Sequence, residues 1–352
     1  MRVLLSGYYG KGNGGDEALL ATLLQMLPGN VTPVVLSGNP RETEERYGVE
    51  AHERMNFQRV ISVMRGCQGF IWGGGSLIQD ATSRISPFYY NGLMAIAQGL
   101  KLRTVAWAQG IGPISGWITR KLARQNFAGC TGVSVRDKKS AALLTEWNIP
   151  HILAPDPVWA MESVKVPEIA HLPTPRIAVT LRNHPDLTAQ RLENITRALV
   201  DLQAATGAFM ILLPFQKAQD YAIAQAIQPA FSQGSAILCF SEPQLLKGVF
   251  RDVDLAIGMR LHSLIMAASE GCRAFALSYD PKINRLMEDL HMPGWDLPSL
   301  PGDVNTISQT WIDVYRNSKS LPTDKIQTLV NAAQQHRQLL ADCLVSGDYL
   351  RG

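Results

Sequence analysis

The sequence predicts an α/β protein of two doubly wound, Rossmann-like domains facing a cleft, followed by a helical tail. Three observations carry this. Short apolar runs alternate with helix-length stretches along most of the chain, which is the pattern of parallel strands joined by helical crossovers. The alternation stops at a stretch holding Pro155, Pro157, Pro167, Pro173 and Pro175 and then restarts, so that stretch reads as a linker. A chain of 352 residues also has room for about two domains.

The first domain is read as residues 1–165. Its strands are expected at 2–6, 31–37, 69–72, 103–108, 133–135 and 151–153, with helices at 15–27, 57–66, 87–100, 116–127 and 137–147 between them. The second domain is read as residues 176–302, with strands at 177–181, 208–213, 235–240, 254–257 and 273–277. Its helices fall near 188–205, 217–228, 242–251, 261–270 and 282–290. The remaining residues, 303–352, form the tail, whose amphipathic helix 324–345 is started by Pro322-Thr323-Asp324. That helix is expected to pack back on the first domain.

Composition removes several classes of function. The 33 basic and 30 acidic residues are nearly balanced and neither half is strongly basic, which argues against a nucleic-acid partner. Cysteines 67, 130, 239, 272 and 343 are scattered and form no CxxC pair. This argues against a disulfide framework or a zinc cluster and suits a reducing compartment. No HxxxH or HExxH cluster calls for a metal. The first strand runs at once into glycines instead of a signal-peptide apolar core. There is also no uninterrupted apolar run of about 18 residues. A cytoplasmic protein is expected.

The residues that could carry chemistry sit where predicted strands end, the ligand side of a doubly wound sheet. Gly7, Tyr8, Gly10, Gly12, Asn13, Gly14, Gly15 and Asp16 follow the first strand and open a helix. Gly10, Gly12 and Gly15 match GxGxxG, yet the second strand ends in Leu36-Ser37-Gly38-Asn39, without the acid of a dinucleotide site. The loop reads as a backbone surface for a hydroxyl-bearing or phosphate ligand, or as a turn that only permits close packing. Gly73, Gly74, Gly75 and Ser76 follow the third strand; their bare amides suit an anion, and a tight turn is the alternative. Gln109 either touches substrate or terminates its strand. Arg136 either faces the cleft or pairs with Asp137 or another carboxylate.

In the second domain Arg182 ends the first strand and suits an anion, while the nearby His184 reads as a solvated loop residue. Arg260, His262 and Ser263 lie between a strand and the N-terminus of a helix. They offer a fixed cation beside a titratable proton carrier. Tyr279 and Lys282 follow the next strand, Lys282 pointing into the cleft or lying on the surface. Arg136, Arg182, Arg260 and Lys282, with His262, could together meet a small polyanion that bears both a carboxylate and a phosphate.

On these residues the sequence resembles the polysaccharide pyruvyl transferase family, of the CsaB type. The resemblance is carried by Gly7-Tyr8-Tyr9-Gly10, Asn13-Gly14-Gly15-Asp16-Glu17-Ala18, Gly73-Gly74-Gly75-Ser76-Leu77-Ile78-Gln79-Asp80 and Gln109-Gly110-Ile111-Gly112-Pro113. Val135-Arg136-Asp137, Gly258-Met259-Arg260-Leu261-His262-Ser263 and Tyr279-Asp280-Pro281-Lys282 complete it. It spans residues 1–290, in order. It implies a fold like that of GT-B glycosyltransferases and the transfer of pyruvate from phosphoenolpyruvate, a co-substrate, to a sugar hydroxyl pair as a cyclic ketal. No cofactor is implied. The acceptor implied is a lipid-linked or polymeric saccharide, in the CsaB type one containing N-acetylmannosamine. By motif, Arg260, His262 and Lys282 take the catalytic positions.

Two further readings stay open on the residues themselves. A GT-B glycosyltransferase using a nucleotide sugar shares the fold and would want a carboxylate for the ribose, such as Glu242 or Glu270. A non-catalytic sugar-binding relative is the other. Trp117, Arg120, Lys121 and Arg124 lie on one predicted helix. An aromatic with three cations suits peripheral contact with an anionic membrane; a solvated helix face is the first reading.

Overall fold

The computed structural model describes residues 1–81, 83–232 and 234–346. It divides into two compact units. The first comprises Met1–Lys11, Asp16–Met161 and the described residues from Leu329 on; the second comprises Gly12–Gly15 and Glu162–Thr328. The end of the predicted tail, residues 347–352, lies outside the described residues.

In chain order the first unit contains β1 (Arg2–Ser6), α1 (Gly14–Met26, whose first two residues belong to the second unit), β2 (Thr32–Ser37), α2 (Pro40–Tyr47), β3 (Glu50–Glu53) and α3 (Phe57–Arg65). It continues through β4 (Gly69–Trp72), α4 (Ser86–Gly99), β5 (Arg103–Gln109), α5 (Trp117–Ala128), β6 (Gly132–Val135), α6 (Lys138–Glu146) and β7 (Ile152–Leu153). Its seven strands are parallel, in the order β3-β2-β1-β4-β5-β6-β7.

The second unit contains α7 (Pro167–Ala170), β8 (Arg176–Thr180), α8 (Ala189–Thr206), β9 (Phe209–Leu212), α9 (Lys217–Ile227), β10 (Ser235–Ile237) and α10 (Pro243–Val249). Then follow β11 (Leu255–Gly258), α11 (Leu261–Ser269), β12 (Arg273–Ser278), α12 (Pro281–Leu290), β13 (Gly294–Asp296) and α13 (Val304–Asn317). Six parallel strands run in the order β10-β9-β8-β11-β12-β13. The described residues end with α14 (Thr323–Ala333), α15 (Gln335–Ala341) and a π-helical turn, Asp342–Ser346.

The central strands are buried along their whole length. Helices on both faces exclude water, which is why these strands read as nearly continuous apolar runs. One core cluster of the first unit packs Val60 and Met64 of α3, Leu93 and Met94 of α4, and Ala123 and Phe127 of α5 on Phe70 and Trp72. In the second, Ile195, Leu199 and Leu202 of α8 meet Trp311 and Ile312 of α13 over β8 and β9. Each strand order reverses once, between β1 and β4 and between β8 and β11. Those are the switch points beyond whose carboxyl ends ligands bind in such sheets.

Several elements differ from expectation. β3 and β13 were not foreseen. β3 is a polar edge strand, Glu-Ala-His-Glu, with one buried residue, and β13 has three residues. β10 stops at Ile237 instead of 240. α13 was also missed, although Asp303 caps it by accepting from the Asn305 and Thr306 amides. The single helix expected at 324–345 is broken after Ala333 and ends in the π turn.

α15 docks on β5 and β6 through polar anchors. His336 is fully buried, with Nδ1 2.9 Å from Ser134 Oγ and Nε2 2.9 Å from the Pro155 carbonyl. Trp107 Nε1 donates to the His336 carbonyl at 3.3 Å, and Arg103 donates to the Leu344 carbonyl at 2.6 Å. Gly132 has no Cβ because Cys343 and Leu339 occupy that place. Burial holds the His336 imidazole down at about 4. A folded pKa below the unfolded value means that stability is complete above about pH 6.5 and is lost as pH falls towards 4. The loss should approach about 3 kcal/mol. Urea unfolding across that window should show the slope in the wild type, and His336→Gln should abolish it.

Candidate active site

The second unit gathers its chemistry-bearing side chains at the β8/β11 switch point. Gly258 ends β11, and the chain then turns through Met259 and Arg260 into α11. Gly258 is required there: an added Cβ would lie 2.8 Å from Thr180 Oγ1 and 2.9 Å from Ser263 Oγ. Those two hydroxyls are themselves 2.8 Å apart, and Ser263 Oγ also donates to the Arg260 carbonyl at 2.7 Å. Ser263 therefore closes the first turn of α11.

Arg260 is buried and grips Asp220, also buried, on two sides: Nε to Oδ2 at 3.2 Å and Nη2 to Oδ1 at 2.5 Å. Asp220 Oδ2 also accepts from the Phe215 and Gln216 amides, at 3.1 and 2.9 Å. The carboxylate thus ties the loop after β9 and the first turn of α9 to the turn between β11 and α11. A buried guanidinium cannot shed its proton, so the pair places a permanent cation at a set position.

His262 stands two residues on, partly exposed. The Nδ1 side of its ring lies where a Cβ of Gly15 would be. Gly15 is part of a short segment built into this unit. The Gly14 amide donates to the Phe215 carbonyl at 2.7 Å, Asn13 bridges Gln216, and Asn13 Oδ1 accepts from the Gly15 amide at 3.1 Å. The glycines here are packed against side chains: Gly14 lies on Leu246 and Phe215 and Gly15 on His262.

The neighbouring strand ends bring a second group. Arg182 Nη1 donates to Tyr279 Oη at 2.7 Å, its guanidinium 4.8 Å from the ring centroid. His184 stacks on the same ring at 4.6 Å. Asp280 caps α12 by accepting from the Lys282 amide at 2.8 Å, which fixes Lys282 in the first turn. β11 separates β8 from β12, so Arg182, the Arg260–His262 turn and Tyr279–Lys282 occupy three adjacent strand ends.

In the first unit the glycines surround Tyr9. Its buried ring fills the space beside Gly7 and Gly73, Gly74 faces Leu19 and Trp107, and Gly75 has φ +123°. Burial, and then the charge of Asp16, push the Tyr9 hydroxyl up. Gly10, at φ +68°, donates its amide to Glu17 at 2.8 Å. Gln109 is buried, and its amide donates to the carbonyls of Gly73 and, at 3.0 Å, Trp107, so it ties β5 to the Gly73 turn. Ser76 lies beside Gly110. Arg136 forms a buried ion pair with Asp156 at 2.5 Å, whereas Asp137 caps α6 through the Ser140 amide at 2.9 Å. Tyr8 is exposed. It stacks on Arg54, whose guanidinium lies 5.5, 5.1 and 5.4 Å from the rings of Tyr8, Tyr89 and Tyr90.

Sequence reasoning missed Asp220 and Arg54, and quoted Glu17 without giving it a role. Arg54 directly follows β3, so recognising that strand would have flagged it. Asp220 reads as an ordinary acid in a first helical turn, and no local signal names its partner. Glu270, considered for a ribose, ends the far end of α11 and faces Lys247 at 3.7 Å and Arg251 at 3.8 Å. Among the described residues no cluster of three or more His, Cys, Asp or Glu is placed to hold a metal.

The second unit thus sets Arg182, Arg260, His262 and Lys282 at adjacent strand ends around a parallel-sheet switch point, on a scaffold of the GT-B type. Solved structures with that scaffold include a Listeria monocytogenes protein assigned as a UDP-N-acetylglucosamine 2-epimerase, with 11% identity, TM-score 0.68, and coverage of 99% of this chain and 97% of that one. The Neisseria meningitidis UDP-GlcNAc 2-epimerase bound to UDP-GlcNAc has 11% identity, TM-score 0.65, and coverage of 97% and 100%. Acinetobacter baumannii MurG has 11% identity, TM-score 0.54, and coverage of 99% and 99%. No curated protein matches the sequence. The polysaccharide pyruvyl transferase family model matches residues 13–281, and the chain belongs to that family.

Removing one partner of a buried ion pair leaves the other charge stranded. Asp220→Ala should therefore destabilise the protein by about 3–5 kcal/mol. Urea denaturation checks this, and Arg260→Lys should fail to restore a two-pronged contact.

Proposed function

We propose that the protein transfers pyruvate from phosphoenolpyruvate to a pair of saccharide hydroxyls, forming a cyclic ketal and releasing phosphate. The observation that carries this reading is that Arg260, His262 and Lys282, with Arg182 and Tyr279, follow adjacent strand ends of one sheet. Phosphoenolpyruvate presents a carboxylate and a phosphate close together, and separate cations suit them. Arg260 and Lys282 are assigned to this donor, with Arg182 beside them. Arg136 belongs to the first unit and pairs with Asp156, so it is not assigned to the donor. Ser263, Asn13 and the loop glycines shape the donor site. Tyr8, Asp16, Ser76 and the glycines of the first unit are assigned to the saccharide. In keeping with the CsaB-type resemblance, that saccharide is a lipid-linked or polymeric intermediate of surface-polysaccharide assembly made on the cytoplasmic side. No cofactor or metal enters the reaction.

In the reaction, a proton reaches the methylene carbon and makes it a methyl group while the adjacent carbon gains oxocarbenium character. A sugar hydroxyl attacks that carbon, its C–O bond to phosphate breaks, and the second hydroxyl closes the ring. Of the two hydroxyl protons, one balances the proton taken up by the methyl and the other leaves with phosphate. Arginine and lysine hold their protons too tightly to deliver one near neutral pH, whereas a histidine can give and regain one. His262 is the proton carrier. Its neighbours suit that role, since Gly15 supports the Nδ1 side of the ring and Arg260 beside it is fixed by Asp220.

His262→Gln keeps a hydrogen-bond donor but cannot cycle a proton. Turnover should fall roughly 10²–10⁴-fold while phosphoenolpyruvate still binds, as read by phosphate release and calorimetry. In deuterated water the wild-type ketal methyl should carry solvent deuterium, as read by mass spectrometry. Near wild-type turnover in His262→Gln would remove it from this role.

Lys282→Ala should weaken donor binding by about 10- to 100-fold, the loss of one charge-assisted contact. Unchanged affinity would place Lys282 outside the donor site. Release of a nucleoside diphosphate from a nucleotide sugar, without phosphate from phosphoenolpyruvate, would replace the whole reading with glycosyl transfer.

A further inference from the structure

The first unit exposes a run of large apolar side chains at the amino ends of three helices on one face of its sheet. Met55 and Phe57 stand at the start of α3, Ile85 and Phe88 at the start of α4, and Trp117 and Ile118 at the start of α5, all exposed. Ile85 is 79% and Trp117 73% exposed. Such residues are common singly on a surface, but a contiguous group is not.

Hydrogen bonds hold the three helix starts side by side. Tyr89 of α4 donates to the Arg54 carbonyl at 2.6 Å, next to Met55. Asp80, in the segment leading to α4, accepts from the Ser115 and Gly116 amides at 2.7 and 2.8 Å, immediately before Trp117. Asn126 of α5 donates to Asn91 Oδ1 of α4 at 2.7 Å, so the two helices are packed together. The apolar residues therefore share one rim of the unit.

The same rim is basic. Arg59, Arg84, Lys121 and Arg124 are exposed there, and Trp117, Lys121 and Arg124 follow the i, i+4, i+7 spacing of one helix face. The carboxylates nearby are largely engaged. Asp80 caps the Ser115–Gly116 turn, and those hydrogen bonds hold its carboxyl below the usual range. Glu146 pairs with Arg120 at 2.8 Å. Glu53 is the exposed acid that remains. Aromatic and aliphatic tips set among cations complement a bilayer surface whose headgroups are anionic and whose acyl region begins a few ångströms below. A protein partner would need matching acids and a complementary shape; a bilayer needs neither. Among the described residues no helix is long and apolar enough to cross a membrane, so contact of this kind would be peripheral.

We propose that this rim, centred on Ile85, Phe88 and Trp117, docks the protein on anionic lipid bilayers. The proposal goes beyond the transfer reaction and is tested without its substrates. The intact chain is floated with phosphatidylcholine vesicles, with and without phosphatidylglycerol. Wild type should float with the anionic vesicles at low salt and bind at least about tenfold less at about 0.5 M salt or on pure phosphatidylcholine. Ile85→Ser combined with Trp117→Ser should lower anionic-vesicle binding by about tenfold or more. The double variant should keep the wild-type melting temperature and circular dichroism, since both side chains are in water. It should also keep wild-type turnover on a water-soluble acceptor, so a failed flotation leaves the transfer reading intact. Absence of flotation, or equal flotation of wild type and double variant, overturns the proposal. So does a wild-type dimer in gel filtration that the double variant dissociates, because a second copy would then cover the rim.

Discussion

The second unit depends on one carboxylate. Asp220 accepts two backbone amides from the loop after β9 and both prongs of Arg260. A charge this deeply buried is tolerated only with its partners in place. Once they are, the loop, the start of α9 and the turn into α11 are tied together. His262 lies on the second residue of α11, so its position follows from an ion pair it does not join. Glycine at position 15 completes the support, because any side chain there would displace the imidazole. The cation is therefore a fixed part of the framework.

The same division of labour recurs in the first unit with different chemistry. There the turn after β4 is held by neutral groups: the Gln109 amide on backbone carbonyls and the Tyr9 ring against Gly7 and Gly73. Charges are kept one layer out, with Glu17 on the Gly10 amide and Arg136 on Asp156. Both sheets place glycine where strand ends and side chains must approach closely. In neither does glycine serve only as a flexible hinge.

Much of the fold was legible because parallel strands covered on both faces leave an unambiguous apolar run, as in β1, β4 and β8. β3 and β13 were not, because an edge strand of three or four residues has too few buried positions to show a period. α13 was hidden by its mixed composition, although Asp303 marks its start. At the site, the clustering of Arg260, His262 and Ser263 could be read from adjacency alone. What each arginine holds could not. Arg260 and Arg136 look alike in sequence as cations at strand ends, and their carboxylates lie 40 and 20 residues away. Only the fold shows that both are already held by the protein, Arg260 by Asp220 and Arg136 by Asp156.

The docking of α15 has a consequence for how the chain is made. β5 and β6 emerge early from a ribosome, but the helix that seals their exposed face, with His336 over Ser134 and Cys343 over Gly132, is synthesised only after the entire second unit. Until then the nascent first sheet displays Trp107 and its apolar neighbours to solvent, where a chaperone can reach them. The first unit is thus the last whose residues are all made, and a chain cut short within the second unit lacks the helix that covers β5 and β6.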